Sequence, residues 1–243
     1  MKIHYCWFGG KKKSRLIKRC IESWRKYFPE TENEVIEWNE SNFDVNHNLY
    51  TRQAYEAEKY AFVSDYVRFW ALEKFGGLYL DTDVEVIKPF GDILEDEGFA
   101  GFETKQYINT GQVLYARNSG HEVITKTREY YDKASFLDEH GQRIKINVCG
   151  IFTKILSEYG FVPNGKLQIC GGFRLYPTEY FCPYDDATGI LTITPNTYSI
   201  HWYAKSWMPL TRIIRNRCSR ILHRLFGTDI REKFLGGIFK HGN

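Results

Sequence analysis

One segment, Gly76-Gly77-Leu78-Tyr79-Leu80-Asp81-Thr82-Asp83-Val84-Glu85-Val86, constrains this chain more than any other. The glycines stop a helix, the apolar residues predict a short strand, and two carboxylates fall where that strand runs out. In an extended backbone, residues two apart project from the same side, so Asp81 and Asp83 can converge on one small object. Several carboxylate oxygens on one face suit a hard divalent cation such as Mg²⁺ or Mn²⁺, which takes its remaining ligands from water and substrate phosphates. A bare Asp-x-Asp is common in solvated loops. The helix stop and the strand in front of it give this one its weight.

The flanking sequence builds an α/β frame around that segment. Ile3 to Phe8 predicts a first strand ending at Gly9-Gly10. Ser14 is an N-cap for a helix carrying Leu16, Ile17, Cys20, Ile21 and Trp24 on one face, closed at Phe28-Pro29. Val35 to Trp38 predicts a second strand, Asn39 to Asn48 a polar loop, and Gln53 to Lys74 a helix-rich stretch leading to the glycines. A β-α-β-α-β order of this kind starts a Rossmann-like nucleotide-binding sheet, whose ligands sit at the carboxyl ends of strands. Two more strands are expected between Gly98 and Tyr115, helices over Val123–Tyr131 and Gly150–Tyr159, and loops with short strands from 160 to 200.

Bulk properties exclude several classes. The 243 residues predict one domain able to bury about 70% of its unfolded surface. Hydrophobic content of 43% and charged content of 26% are those of an ordinary globular chain. The chain opens on strand-like residues, so no secretory leader is expected, and no apolar run is long enough to span a bilayer. The cysteines are scattered without a C-x-x-C pair, the pattern of reduced cytoplasmic thiols. Charge is unevenly placed: residues 1–204 carry a net −4 and residues 205–243 a net +7. In the tail, Leu210, Ile213, Ile214, Cys218, Ile221, Leu222 and Leu225 recur at helical spacing among arginines. Residues 209–226 therefore predict a basic amphipathic helix, whose apolar face either packs against the catalytic domain or lies in an anionic membrane surface. The domain division expected is 1–207 catalytic and 208–243 tail.

Four separated pieces carry a family resemblance: Trp7-Phe8-Gly9-Gly10, Ser64-Asp65-Tyr66-Val67-Arg68, Asp81-Thr82-Asp83, and His201-Trp202-Tyr203-Ala204-Lys205-Ser206-Trp207. In this order they resemble glycosyltransferase family 32, whose members share an Asp-x-Asp sugar-binding region and include capsule-building bacterial enzymes and outer-chain mannosyltransferases. The large glucosylating toxins look like more distant relatives. The resemblance runs clearly from Lys2 to Phe90, returns at 199–207, and is loose between.

The resemblance implies a GT-A fold that binds a nucleotide-diphosphate sugar through Mn²⁺ or Mg²⁺ and transfers the sugar with retention of configuration. It implies that Trp7 stacks on the nucleobase and that Asp81 and Asp83 hold the metal and diphosphate. Asp65 would bond the donor sugar or ribose, and Arg68 would lie against sugar and phosphate. Both are the candidate catalytic residues. The His201–Trp207 segment would close over the donor, bringing Trp207 to it. His201 follows strand-like Thr197–Ile200, where it reads equally as a third metal ligand or a hydrogen-bonded histidine. Glu85 is a candidate to back up the metal, and Asn109-Thr110-Gly111 to border the acceptor pocket. The function expected is hexose transfer, first from a UDP-sugar, to a growing lipid-linked polysaccharide at the inner membrane face. A protein-modifying transferase and a basic nucleic-acid-binding module are the rivals. The second is disfavoured, because the tail's net +7 falls on one amphipathic helix and no nucleic-acid fold motif is present.

Overall fold

A computed structural model describes residues 1–145 and 147–205, together with Thr211, Ser219, Arg220 and Arg224. The chain runs β1 (Lys2–Cys6), α1 (Arg15–Tyr27), β2 (Glu34–Trp38), α2 (Leu49–Glu56), α3 (Tyr60–Phe75), β3 (Gly77–Tyr79) and β4 (Val84–Val86). It continues β5 (Gly98–Phe102), β6 (Ile108–Ala116), α4 (Glu122–Lys133), α5 (Val148–Ser157), β7 (Gln168–Cys170), β8 (Phe173–Tyr176), α6 (Thr178–Phe181) and β9 (Ser199–His201).

The α/β architecture expected from the sequence is the one found. A seven-stranded sheet has the order β2-β1-β3-β6-β5-β8-β7, and β4 and β9 form a second, two-stranded sheet. Strands β2, β1 and β3 are parallel, the register of a β-α-β unit. From β3 onward the sheet is mixed: β6 is antiparallel to both β3 and β5, while β5 and β8 are parallel.

Local sequence explains the elements that shape the site. Ser14 caps α1 by accepting from the Ile17 amide at 3.3 Å. Ile17, Cys20, Ile21 and Trp24 form the buried face of α1, and the Trp24 indole donates to the Val84 carbonyl at 2.7 Å, tying α1 to the second sheet. Helix α3 buries Val63, Tyr66, Val67, Phe69, Ala71 and Leu72, so apolar side chains cover most of its circumference, and Arg68 is the charged side chain buried among them. It stops at Gly76 and Gly77, both at positive φ, and a Cβ on Gly77 would lie 2.3 Å from the Lys2 carbonyl. The glycine pair is thus what lets β3 pack directly against β1. Apolar clusters lie on both faces of the main sheet, one beneath α3, α4 and α5 and the other beneath α1 and β4.

Two expectations change. The 53–74 stretch is two helices, α2 beginning earlier at Leu49 under an Asn48–Thr51 capping box, with a break where Glu58 takes φ 56. The carboxylates do not share one extended strand either. Asp81 to Asp83 form a turn between β3 and β4, closed by the Val84 amide on the Asp81 carbonyl at 3.0 Å, and the chain changes sheets there. The expected tail helix, 209–226, and Trp207 lie outside the described residues except at the four positions named above. Among the described residues, no helix is long and apolar enough to cross a membrane.

Candidate active site

Asp81 and Asp83 stand in the wall of a cleft of about 610 Å³ that is also lined by Trp7, Asp65, Arg68 and His201. The floor is organised by Arg68 on α3. Its guanidinium reaches Asp65 at 2.9 Å, Asp81 at 3.3 Å and the Thr110 hydroxyl at 3.0 Å, and stacks 5.0 Å from the Tyr79 ring. The three-residue spacing of Asp65 and Arg68 puts them on one helical face, as the sequence predicts. The Tyr79 hydroxyl donates to the same Asp81 oxygen at 2.9 Å. Asp81 is further fixed through its amide, which donates to the Gly111 carbonyl at 2.8 Å. Gly111 leaves room for the carboxylate: a Cβ there would lie 2.0 Å from Asp81 Oδ2.

Asp83 is held from the other side. One oxygen lies 3.3 Å from His201 Nε2 at the end of β9, and the other accepts from the Ala204 amide at 2.6 Å. The Asp83 carbonyl accepts from the Trp202 amide at 3.0 Å. Beyond it, Tyr203 and Lys205 take φ of 49° and 51°, a left-handed backbone that side-chain-bearing residues rarely adopt. The Tyr203 ring packs 4.1 Å from the His201 ring, and its hydroxyl donates to Glu103 at 3.1 Å.

Electrostatics differ across the cleft. Burial pushes the Asp65 carboxyl up to about 7 against the pull of Arg68, and Asp81 adds to the rise. Burial also opposes a charged Asp83, but the His201 imidazole outweighs it and holds that carboxyl below its usual range. Burial likewise disfavours a charged His201, and the Asp83 carboxylate outweighs it, raising the imidazole well above its ordinary value.

The donor set suits a divalent cation. Asp81, Asp83 and His201 each offer a ligand atom, all within 4.8 Å of one another. Two carboxylates and one imidazole match the oxygen-and-nitrogen preference of Mn²⁺ and are tolerable for Mg²⁺. His201 Nδ1 is buried without a hydrogen-bond partner among the described residues. A buried polar atom left in that state is unusual, and it fits a ring whose position is set for something besides the fold.

Trp7 follows β1 at the cleft, half-buried, with its indole donating to the Lys11 carbonyl at 2.6 Å, so one edge of the ring is pinned. Glu85 does not join the cluster. It accepts from the Trp202 indole at 2.7 Å and pairs with Arg19 at 3.0 Å, supporting the segment after β9 from outside. Of Asn109-Thr110-Gly111, Asn109 lines the cleft, while Thr110 anchors Arg68 and Gly111 admits Asp81. Sequence reasoning overlooked Tyr79, although it sits two residues before Asp81, the spacing that carries side chains to one face. It also overlooked Glu103, whose meeting with Tyr203 has no local signal.

A family model for capsular polysaccharide synthesis proteins matches residues 1–164. The chain belongs to this family. The match spans Trp7, Asp65, Arg68, Asp81 and Asp83 and stops before His201. Two solved structures are similar to this family member. "PaToxG Glycosyltransferase" is 19% identical, covers 65% of this chain and 67% of its own, and has a TM-score of 0.46. A glycosyltransferase involved in the glycosylation of the major capsid of PBCV-1 is 16% identical, covers 89% of this chain and 98% of its own, and has a TM-score of 0.48. No curated protein matches the sequence.

Proposed function

We propose that the protein is a retaining glycosyltransferase that moves a hexose from a nucleotide-diphosphate sugar, first a UDP-sugar, to a growing lipid-linked saccharide. Asp81, Asp83 and His201 would hold Mn²⁺ or Mg²⁺. The observation that carries this reading is the meeting of those three ligands with Arg68, Asp65 and Trp7 in one cleft. Membership of a capsular polysaccharide synthesis family supports a saccharide product.

When the bond from the anomeric carbon to phosphate breaks, negative charge grows on the leaving diphosphate while the sugar becomes oxocarbenium-like. A divalent cation supplies positive charge beside that diphosphate. Arg68, fixed by three partners, presents a cation that needs no reorganisation as the charge develops. Asp65 lies where it can accept from sugar hydroxyls and, when ionised, stabilise the electron-poor ring. Trp7 offers its free face to the base. The acceptor hydroxyl passes its proton to the departing phosphate, so no protein base is assigned, and no protein nucleophile is assigned either. Residues 1–207 form the catalytic unit in this reading, and Trp207 belongs to the segment that closes on the donor.

The test is hydrolysis of a panel of UDP- and GDP-sugars by the purified protein. Mn²⁺-dependent release of the nucleotide from one donor is expected, and no release from any would sink the assignment. The basic tail, 208–243, would bring the enzyme to the inner face of the membrane through residues 209–226. Flotation with anionic vesicles, lost on truncation after Trp207, is the matching expectation. Equal flotation of both forms would remove the membrane role.

A further inference from the structure

The first 21 residues contain seven Lys and Arg and no Asp or Glu, an asymmetry that neither the metal nor the fold requires. Two of these cations are paired: Lys13 with Glu37 at 2.7 Å and Arg19 with Glu85 at 3.0 Å. Lys11, Lys12 and Lys18 are exposed, and no described carboxylate pairs with them. They are nevertheless placed. Together with Lys13, Asn39 and Trp7 they surround a hollow of about 430 Å³, and Lys11 and Lys12 also line the main cleft, so the two cavities share a wall.

The loop that carries the lysines is held in place. The Gly9 amide donates to Glu40 at 2.6 Å, and the Trp7 indole donates to the Lys11 carbonyl at 2.6 Å. Glu37 and Glu40 also face the hollow, but both are engaged, Glu37 by Lys13 and Tyr5, and Glu40 by Gly9 and Tyr55. Four cations against two occupied carboxylates leave the hollow net positive. Lysine ammonium groups attract carboxylates and phosphates as point charges. An amide such as Asn39 bonds saccharide hydroxyls. That combination fits an acidic saccharide better than a neutral one.

We propose that Lys11, Lys12 and Lys18 hold the carboxylate or phosphate of an anionic saccharide acceptor, in the hollow beside the donor cleft. The inference rests on the transferase reading of the cleft and adds the charge class of the acceptor to it.

The test is calorimetric titration of the full chain with an oligogalacturonate in metal-free buffer, beside a neutral malto-oligosaccharide of the same length. Wild type is expected to bind the galacturonate and not the neutral oligomer, more weakly as salt rises from about 50 to about 300 mM. Lys12→Glu and Lys18→Glu should each weaken that binding about tenfold, with thermal unfolding reporting that both remain folded. Saturating UDP with Mn²⁺ should leave the wild-type saccharide affinity unchanged, because the two anions occupy separate places. Wild type that takes the galacturonate but no UDP would support the anion site and sink the transferase reading instead. Displacement of the galacturonate by UDP would overturn the proposal by making the lysines part of the donor site. Equal binding of the neutral oligomer, or full affinity in both variants, would overturn it as well.

Discussion

Asp81 and Asp83 are one residue apart, yet two different parts of the molecule hold them. Asp81 belongs to a floor made by α3, β3 and β6, where Arg68, Tyr79, Thr110 and Gly111 converge within the main sheet and its helical cover. Asp83 belongs to a strap made by β4, β9 and the left-handed residues after it, where its partners are His201 and the Ala204 amide. The floor is tied into the larger core, and its ion pairs sit on a guanidinium that never loses its charge at neutral pH. The strap rests on a two-stranded sheet of three-residue strands. Loss of the floor's buried cation should therefore unfold the protein, and damage to the strap should disarm it.

The largest effect expected is on the floor. Arg68→Ala leaves Asp65 and Asp81 without their buried cation, and should lower unfolding free energy by about 3–5 kcal/mol in urea titrations. Asp65→Asn should cost only about 1–2 kcal/mol, since burial already favours its protonated form near neutral pH. A similar loss for both would mean that Arg68 does not organise the floor. Gly111→Ala sharpens the contrast within the floor itself. The new methyl group must push the Asp81 carboxylate aside, so turnover should fall about a hundredfold with the melting temperature nearly kept. Normal turnover would show that the position of Asp81 is not critical. Smaller again is Trp7→Ala, outside both regions, which should weaken donor binding by about 1–3 kcal/mol if the ring stacks on the base. A drop in melting temperature with unchanged donor affinity would make Trp7 a structural aromatic.

The comparison also marks which parts of the protein could be read from its sequence. Features set by neighbours in the chain were visible: the Ser14 cap, the Gly76-Gly77 stop, and the shared face of Asp65 and Arg68. The convergence of Asp81 and Asp83 was also visible, but for the wrong reason, because a turn between two sheets does what an extended strand was expected to do. The contacts that fix each carboxylate were mostly hidden. Thr110 reaches Arg68 across 42 positions and Ala204 reaches Asp83 across 121, and no local propensity encodes such pairings. In sequence Gly111 reads as part of the acceptor-pocket border, whereas the close approach of Asp81 gives it another reason. His201 could be placed after a strand from its neighbours, but its partner depended on β9 pairing antiparallel with β4.

The central claim is that floor and strap share one divalent cation that serves a nucleotide diphosphate. It is tested most directly by titrating Mn²⁺ into the full chain with UDP present and following the heat, for wild type and for Asp83→Asn. The account predicts a single Mn²⁺ site in wild type. It predicts affinity weakened by about a hundredfold in Asp83→Asn, with the unfolding midpoint little changed. Equal Mn²⁺ affinity in the two proteins would contradict it.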